Sequence, residues 1–262
     1  MSGTPERQTH SEAGSYKCPL CKDKGLILQN DAARVCGCMK ARRLENLMRS
    51  SNISEEFVYK SFETFSLKGS DKRIAAAFQT ARRYSDDLVK RVKSGEGLKG
   101  SPWLGLLGVP GSGKTHLAHA AVKPLFELGV KVLFFNWVSS FKEWMAWHSS
   151  DQKNRVDEIR QEIYNCDLLV LDDLCKECVN ETWIREIYGI IDYRYRKGLP
   201  MIYTSEYYAE LIEMLSEATA SRLFEMSGRA DPPAMALMLL NKKEDPLALN
   251  YRLKYLRKPP GI

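Results

Sequence analysis

Residues 103–115 read WLGLLGVPGSGKT, and the fold turns on how this stretch is read. An apolar run from Trp103 to Leu107 enters a glycine-rich loop, Gly108-Val109-Pro110-Gly111-Ser112-Gly113, which ends in Lys114 and Thr115. Glycines let a backbone wrap closely around a phosphate chain and turn its N–H groups inward. The residues after the loop, THLAHAAVKPLFELG (115–129), read as a helix whose first turn adds the positive end of its dipole. Lys114 is placed to reach the outer phosphates of a nucleoside triphosphate and Thr115 to hold Mg²⁺. The nucleotide-binding set therefore comprises Gly108, Val109, Pro110, Gly111, Ser112, Gly113, Lys114, Thr115 and His116. His116 and His119 read as surface or packing residues rather than metal ligands. Pro124 predicts a kink or an early end to the helix.

Strand and helix signals alternate outward from this loop. KVLFFN (131–136), DLLVLDDL (167–174), PMIYTS (200–205) and AMALMLL (234–240) read as strands. SSFKEWMAW (139–147) starts a helix, and AELIEML (209–215) and ATASRLFEM (218–226) are short helices. TWIREIYGIIDYRY (182–195) is a helix with Ile184, Ile187, Tyr188, Ile191 and Tyr195 on one face. Upstream, Ile74, Phe78, Ala81, Leu88 and Val92 keep helical spacing until SGEGLKGSP (94–102) breaks it. Apolar strands alternating with helices predict an α/β fold, a parallel sheet flanked by helices on both faces.

A phosphate loop needs an acidic partner at the end of a second apolar strand, and Leu168 to Asp173 supplies it. Asp172 is expected to orient the Mg²⁺ shell and Asp173 to polarise an attacking water, with Glu177 close enough to assist. Hydrolysis of ATP to ADP and phosphate is the predicted reaction.

Composition bounds the rest. The 262 residues are 44% apolar and 27% charged, as in an ordinary globular protein. No run of 18 apolar residues occurs, and the first 20 residues lack the apolar segment of a signal peptide, so no membrane span and a cytoplasmic location are expected. The net charge of +6 is compatible with a polyanionic partner. Residues 1–15 are polar and small and predict a disordered tail.

Seven cysteines, an odd number, argue against a disulfide framework. Four of them form two knuckles, Cys18-Pro-Leu-Cys21 and Cys36-Gly-Cys38, a pattern that suits a tetrahedral structural Zn²⁺. The alternatives are four free thiols or a redox pair, although no thioredoxin-like strand and helix surround them. A segment this small lacks a core, and metal binding supplies the folding energy it would need. Residues 16–65 thus read as a zinc-stapled module and a linker with apolar anchors at Phe57, Phe62 and Phe65, ahead of an ATPase domain at 66–262. Cys175 and Cys178 read as incidental.

These motifs in order resemble the bacterial and phage replicative helicase loaders of the DnaI/DnaC type. CPLCKDKGLI with CGC resembles their zinc-binding N-terminus, and FETF (62–65) the segment leading into their ATPase domain. GVPGSGKTHLA, LLVLDDLCKE, Arg194-Tyr195, IYTSE and ASRLFEM resemble the motifs of that AAA+ subgroup, whose ATP-binding domain is IstB-like. The resemblance implies an AAA+ P-loop core with little or no C-terminal lid. It makes Arg222 an arginine finger acting on a neighbouring subunit, and Thr204 and Ser205 part of the γ-phosphate sensor. The family often has asparagine where this chain has Glu206, and usually glycine where it has Cys175. Arg252 resembles an arginine late in some relatives and is given no catalytic role. The implied partners are a hexameric DnaB-type helicase, single-stranded DNA and further copies of this chain in an ATP-dependent oligomer, with ATP, Mg²⁺ and Zn²⁺ as cofactors. An IstB-type transposition ATPase acting with a transposase on duplex DNA is the main alternative. An idle zinc-stapled adaptor and a small-molecule kinase are more distant ones.

Overall fold

The computed structural model describes residues 16, 18–29, 32–39, 59–141, 143, 144, 146, 153–176, 180–239, 244, 249 and 250. Residues 1–15, Phe57, Glu177, Cys178, Leu240 and Arg252, singled out above, lie outside the described residues. The chain divides into two compact units, Met1–Asn46 and Leu47–Ile262. Phe62 and Phe65 thus belong to the larger unit.

In the larger unit, short and mostly apolar runs form five strands among the described residues. They are β3 (Leu104–Gly108), β4 (Val132–Asn136), β5 (Leu168–Asp172), β6 (Met201–Ser205) and β7 (Met235–Met238). Their order across the sheet is β4-β5-β6-β3-β7, and every pairing is parallel. All five positions of β3, β5 and β6 are buried, as expected of strands covered on both faces. The expected parallel α/β architecture is the one observed.

The helices are α1 (Lys72–Lys93), α2 (Lys114–Glu127), α3 (Lys153–Asn165), α4 (Glu181–Lys197), α5 (Glu210–Leu215) and α6 (Glu217–Gly228). Asp71 caps α1 by accepting from the Arg73 N–H, a contact of the kind worth about 1 kcal/mol. Pro124 lies inside α2, yet the helix continues to Glu127 and closes at the Leu128-Gly129 turn. The proline therefore does not end it early. Trp137–Phe141 forms a π-helical turn ahead of helical residues 143, 144 and 146, within the helix start expected at 139–147; the N–H groups of Val138 and Ser139 donate to Asn136 Oδ1.

The buried face of α4 also differs from the sequence reading. Ile187, Ile190, Ile191 and Arg194 are buried, whereas Tyr188 is 37% exposed. Arg194 is fully buried because its guanidinium donates to carbonyl oxygens at two chain reversals: Ile163 (3.0 Å) in the last turn of α3 and Pro200 (2.8 Å) before β6. Its expected place in an ATPase motif is thus a structural clamp at the sheet's N-terminal edge.

The smaller unit contains a hairpin, β1 (Leu26–Gln29) and β2 (Ala32–Val35), paired antiparallel with Leu26 opposite Val35.

Candidate functional site

Parallel register brings the polar ends of the strands together. Asn136 lies beside Asp172, and Leu107 beside Ser205, so the C-terminal edge of the sheet collects Gly108, Asn136, Asp172, Thr204 and Ser205. Open α/β sheets bind ligands at this edge. The phosphate loop leaves β3 there. Gly113, at φ 94°, turns it into α2, and a Cβ at that position would lie 2.7 Å from the Phe65 ring. Glycine is therefore required twice over, by the backbone angle and by the aromatic ring.

Asp172 is the hub. Its Oδ1 accepts from the hydroxyls of Thr204 (2.7 Å) and Thr115 (3.0 Å), and its Oδ2 from the Asn136 amide (3.3 Å). Burial, with the neighbouring Asp173 charge, raises its pKa, and those three donors hold it down. A buried carboxylate 3.0 Å from a threonine hydroxyl is the oxygen donor set a hard divalent cation takes. Thr115 and Asp172 thus fit Mg²⁺.

Asp173 begins a tight turn, with φ values of 56° at Asp173 and 63° at Cys175. The second angle explains why glycine suits that position, since side chains disfavour it. Cys175 is fully buried, and burial pushes its thiol up to about 12. The turn is fastened to β6: the Asp173 N–H donates to Thr204 Oγ1 (2.9 Å), the Leu174 N–H to the Thr204 carbonyl (2.8 Å), and the Ser205 hydroxyl to the Leu174 carbonyl (2.7 Å). Ser205 therefore holds the turn, while Thr204 links Asp172 to Asp173.

Lys114 Nζ donates to the carbonyls of Gly108 (2.7 Å) and Val109 (3.0 Å), and burial lowers its pKa to about 8. A cavity of about 230 Å³ lies over the loop, lined by Pro110, Gly111, Gly113, Lys114, Thr115 and His116, with Lys60, Asp173, Lys176 and Glu206. His116 Nε2 donates to the Ser61 carbonyl (2.8 Å), so His116 both lines the cavity and ties α2 to residues 61–65. His119 stacks on Phe134 with ring centroids 3.9 Å apart. Burial lowers its pKa to about 3, a neutral packing residue as expected.

Arg222 is not part of this cavity. It lies on α6 with its guanidinium 5.6 Å from the Tyr188 ring and 5.5 Å from that of Tyr195. It is 3.2 Å from Asp192, near enough for ion pairing though not aligned for a hydrogen bond. The sequence reading missed Asn136, Lys176, Lys60 and Asn250. A Cβ on Gly111 would overlap the Asn250 side chain. Only Asn136 left a signal, a polar residue closing an apolar strand.

In the smaller unit the sulfurs of Cys18, Cys21, Cys36 and Cys38 all lie within 4.8 Å of one another. The Cys18–Cys36 pair is 3.8 Å apart and the Cys21–Cys38 pair 3.3 Å. Tetrahedral zinc with Zn–S near 2.3 Å sets sulfur separations of about 3.8 Å, so the cluster fits Zn²⁺. The Gly25 N–H donates to Cys21 Sγ (3.3 Å), as a ligand thiolate would require. The backbone N–H of Cys21 lowers the Cys18 thiol to about 7, and hydrogen bonding with Cys21 pushes Cys38 up to about 12. Four crowded thiols cannot all ionise unless a cation joins them.

Comparison with known proteins matches the profile of the IstB-like ATP binding protein family to residues 26–222. The chain belongs to the IstB-like ATP-binding family. It is similar to the phage-like element PBSX protein XkdC of Bacillus subtilis (strain 168), with 30% identity over 238 residues, covering 84% of this chain and 83% of that protein. Among solved structures, the DnaC helicase loader superposes with a TM-score of 0.57 at 23% identity, over 72% of this chain and 100% of that one. DnaI superposes with a TM-score of 0.52 at 20% identity, over 74% and 95%. This IstB-like chain therefore has an ATP-binding domain with the AAA+ P-loop fold. Among the described residues no helix is long and apolar enough to cross a membrane.

Proposed function

We propose that this IstB-like protein is an ATPase that loads a hexameric DnaB-type replicative helicase onto single-stranded DNA. The observation that carries the ATPase part is the chain of contacts Thr115–Asp172–Thr204–Asp173 beside Lys114 at one sheet edge. In this reading the loop N–H groups and Lys114 hold the phosphates, and Thr115 and Asp172 hold Mg²⁺, which when bound neutralises charge on the outer phosphates. Asp173 orients a water whose oxygen attacks the γ-phosphorus. The bond from that phosphorus to the β–γ bridging oxygen breaks, the water proton passes to Asp173, and ADP and phosphate leave. Arg222, which does not line its own cavity, serves the site of a neighbouring subunit, so turnover needs the oligomer.

The loader part is supported by the sulfur cluster ahead of the ATPase domain, by the fold shared with DnaC and DnaI, and by the motif order. Zn²⁺ held by Cys18, Cys21, Cys36 and Cys38 supplies a rigid module for the helicase contact. The net charge of +6 favours a nucleic acid partner. The test is binding to the replicative helicase of the source organism, with and without ATP, by the full chain and by residues 47–262. ATP-promoted binding that needs residues 1–46 is expected. Failure to bind in any nucleotide state, with duplex DNA and a transposase engaged instead, would replace the loader reading with the transposition one.

A further inference from the structure

Glu206 places a carboxylate in the cavity that is to receive a triphosphate, where uncompensated negative charge would repel it. Lys176 compensates for it. Its ammonium lies 3.0 Å from Glu206 Oε1 and 3.3 Å from Asp173 Oδ2, and all three side chains line the same cavity as Lys114 and Thr115. Two other lysines line the cavity, Lys60 and Lys114, and Lys114 is bound to two loop carbonyls. Lys176 is the cation placed between the Glu206 and Asp173 carboxylates. Burial draws its pKa down, but the Glu206 hydrogen bond and the Asp173 charge outweigh this and keep it charged.

Backbone geometry fixes the trio. The left-handed residues Asp173 and Cys175 curl the turn so that the Lys176 N–H donates to the Asp173 carbonyl (3.0 Å), which sets both side chains over one mouth. Thr204 and Ser205 bind that turn to β6, and Glu206 follows directly on β6. A terminal phosphate, a dianion near neutrality, is a stronger ligand for an ammonium group than a single carboxylate.

We propose that Lys176, held toward the cavity by Glu206, contacts the terminal phosphate and is the positioning residue through which this site distinguishes ATP from ADP. The phosphate and Asp173 compete for one ammonium group. A bound γ-phosphate therefore releases the Asp173 carboxylate to accept the water proton, whereas ADP leaves it paired. This rests on the ATPase reading above.

The experiment measures affinities of the full chain for a non-hydrolysable ATP analogue and for ADP, with single-turnover hydrolysis alongside. Lys176→Met is expected to lower the preference for the ATP analogue over ADP at least tenfold, and Lys176→Arg to restore most of it. Glu206→Gln, by removing one competing carboxylate, should raise affinity for the ATP analogue several-fold. A merely structural ion pair would change the melting temperature and leave the preference alone. A Lys176→Met protein with wild-type preference, in a chain whose nucleotide binding still depends on Lys114, overturns this inference and spares the ATPase reading. Wild-type protein that binds no nucleotide overturns both.

Discussion

Lys114 is charged against the pull of its surroundings. Burial lowers its pKa to about 8, with Glu206, Asp173 and Asp172 opposing that shift. A bound triphosphate adds negative charge beside the ammonium and raises the pKa again. Well below pH 8 the lysine is already protonated, and binding takes up almost no proton there. Above it, binding must take up a proton, so affinity falls by up to about tenfold per pH unit. Calorimetry of a non-hydrolysable ATP analogue at pH 7.5 and 9, in buffers of differing ionisation enthalpy, should show uptake of about a quarter of a proton at the lower pH and about nine-tenths at the higher. Equal uptake at both would place the titration on another group. Arg222 makes a second prediction at this scale. Its ion pair with Asp192 and its two tyrosine neighbours belong to its own subunit, and it does not line its own subunit's cavity. Arg222→Ala should keep ATP affinity and lose about 10³- to 10⁵-fold in turnover of the assembled protein. Full turnover in the mutant would return Arg222 to a packing role.

Elements differ in how far their own sequence specifies them. The β3–loop–α2 unit was legible because glycines, Lys114 and flanking apolar runs are local signals, and β5 because five buried residues end in aspartate. The buried face of α4 was not, because Arg194 is accommodated by carbonyls of residues 163, 166, 167 and 200, far from it in sequence or across a turn. The hairpin of the smaller unit was also illegible, though its cysteines were not. Its cross-strand pair, Leu26 and Val35, is 52% and 73% exposed, so no buried alternation marks the strands. Its buried cluster is Cys18, Cys21 and Cys36, packed with Cys38 and Ile27. We propose that such an element depends on metal for folding, which in small zinc peptides is worth about 10–16 kcal/mol. One zinc per chain is expected by metal analysis. Chelation should abolish amide protection in residues 18–39 while the ATPase unit keeps its melting temperature. Protection that survives complete zinc removal would mean that the hairpin folds on packing alone.

For the whole molecule, the division after Asn46 and the position of Phe65 determine which pieces can function alone. A sequence boundary at residue 65 would separate the zinc module and linker from the ATPase domain. Yet the Phe62 and Phe65 rings pack against Phe78 of α1, edge-on and tilted, with centroids 5.3 and 5.7 Å away, Phe65 meets His116 at 5.0 Å, and Ser61 receives the His116 hydrogen bond. FETF is therefore a buttress of the phosphate loop. The sequence showed its aromatics but not their target, because Gly113 and Phe65 are brought together only by tertiary packing. Residues 47–262 should bind the ATP analogue within about twofold of the full chain and lack zinc. Residues 66–262 should bind at least tenfold more weakly, because deleting a buried aromatic from a packed site costs about 3–5 kcal/mol and leaves the loop unsupported. Isothermal titration of the two truncations decides the matter. Equal affinity would show that the phosphate loop holds its shape without the buttress, and would move the functional boundary back to residue 65.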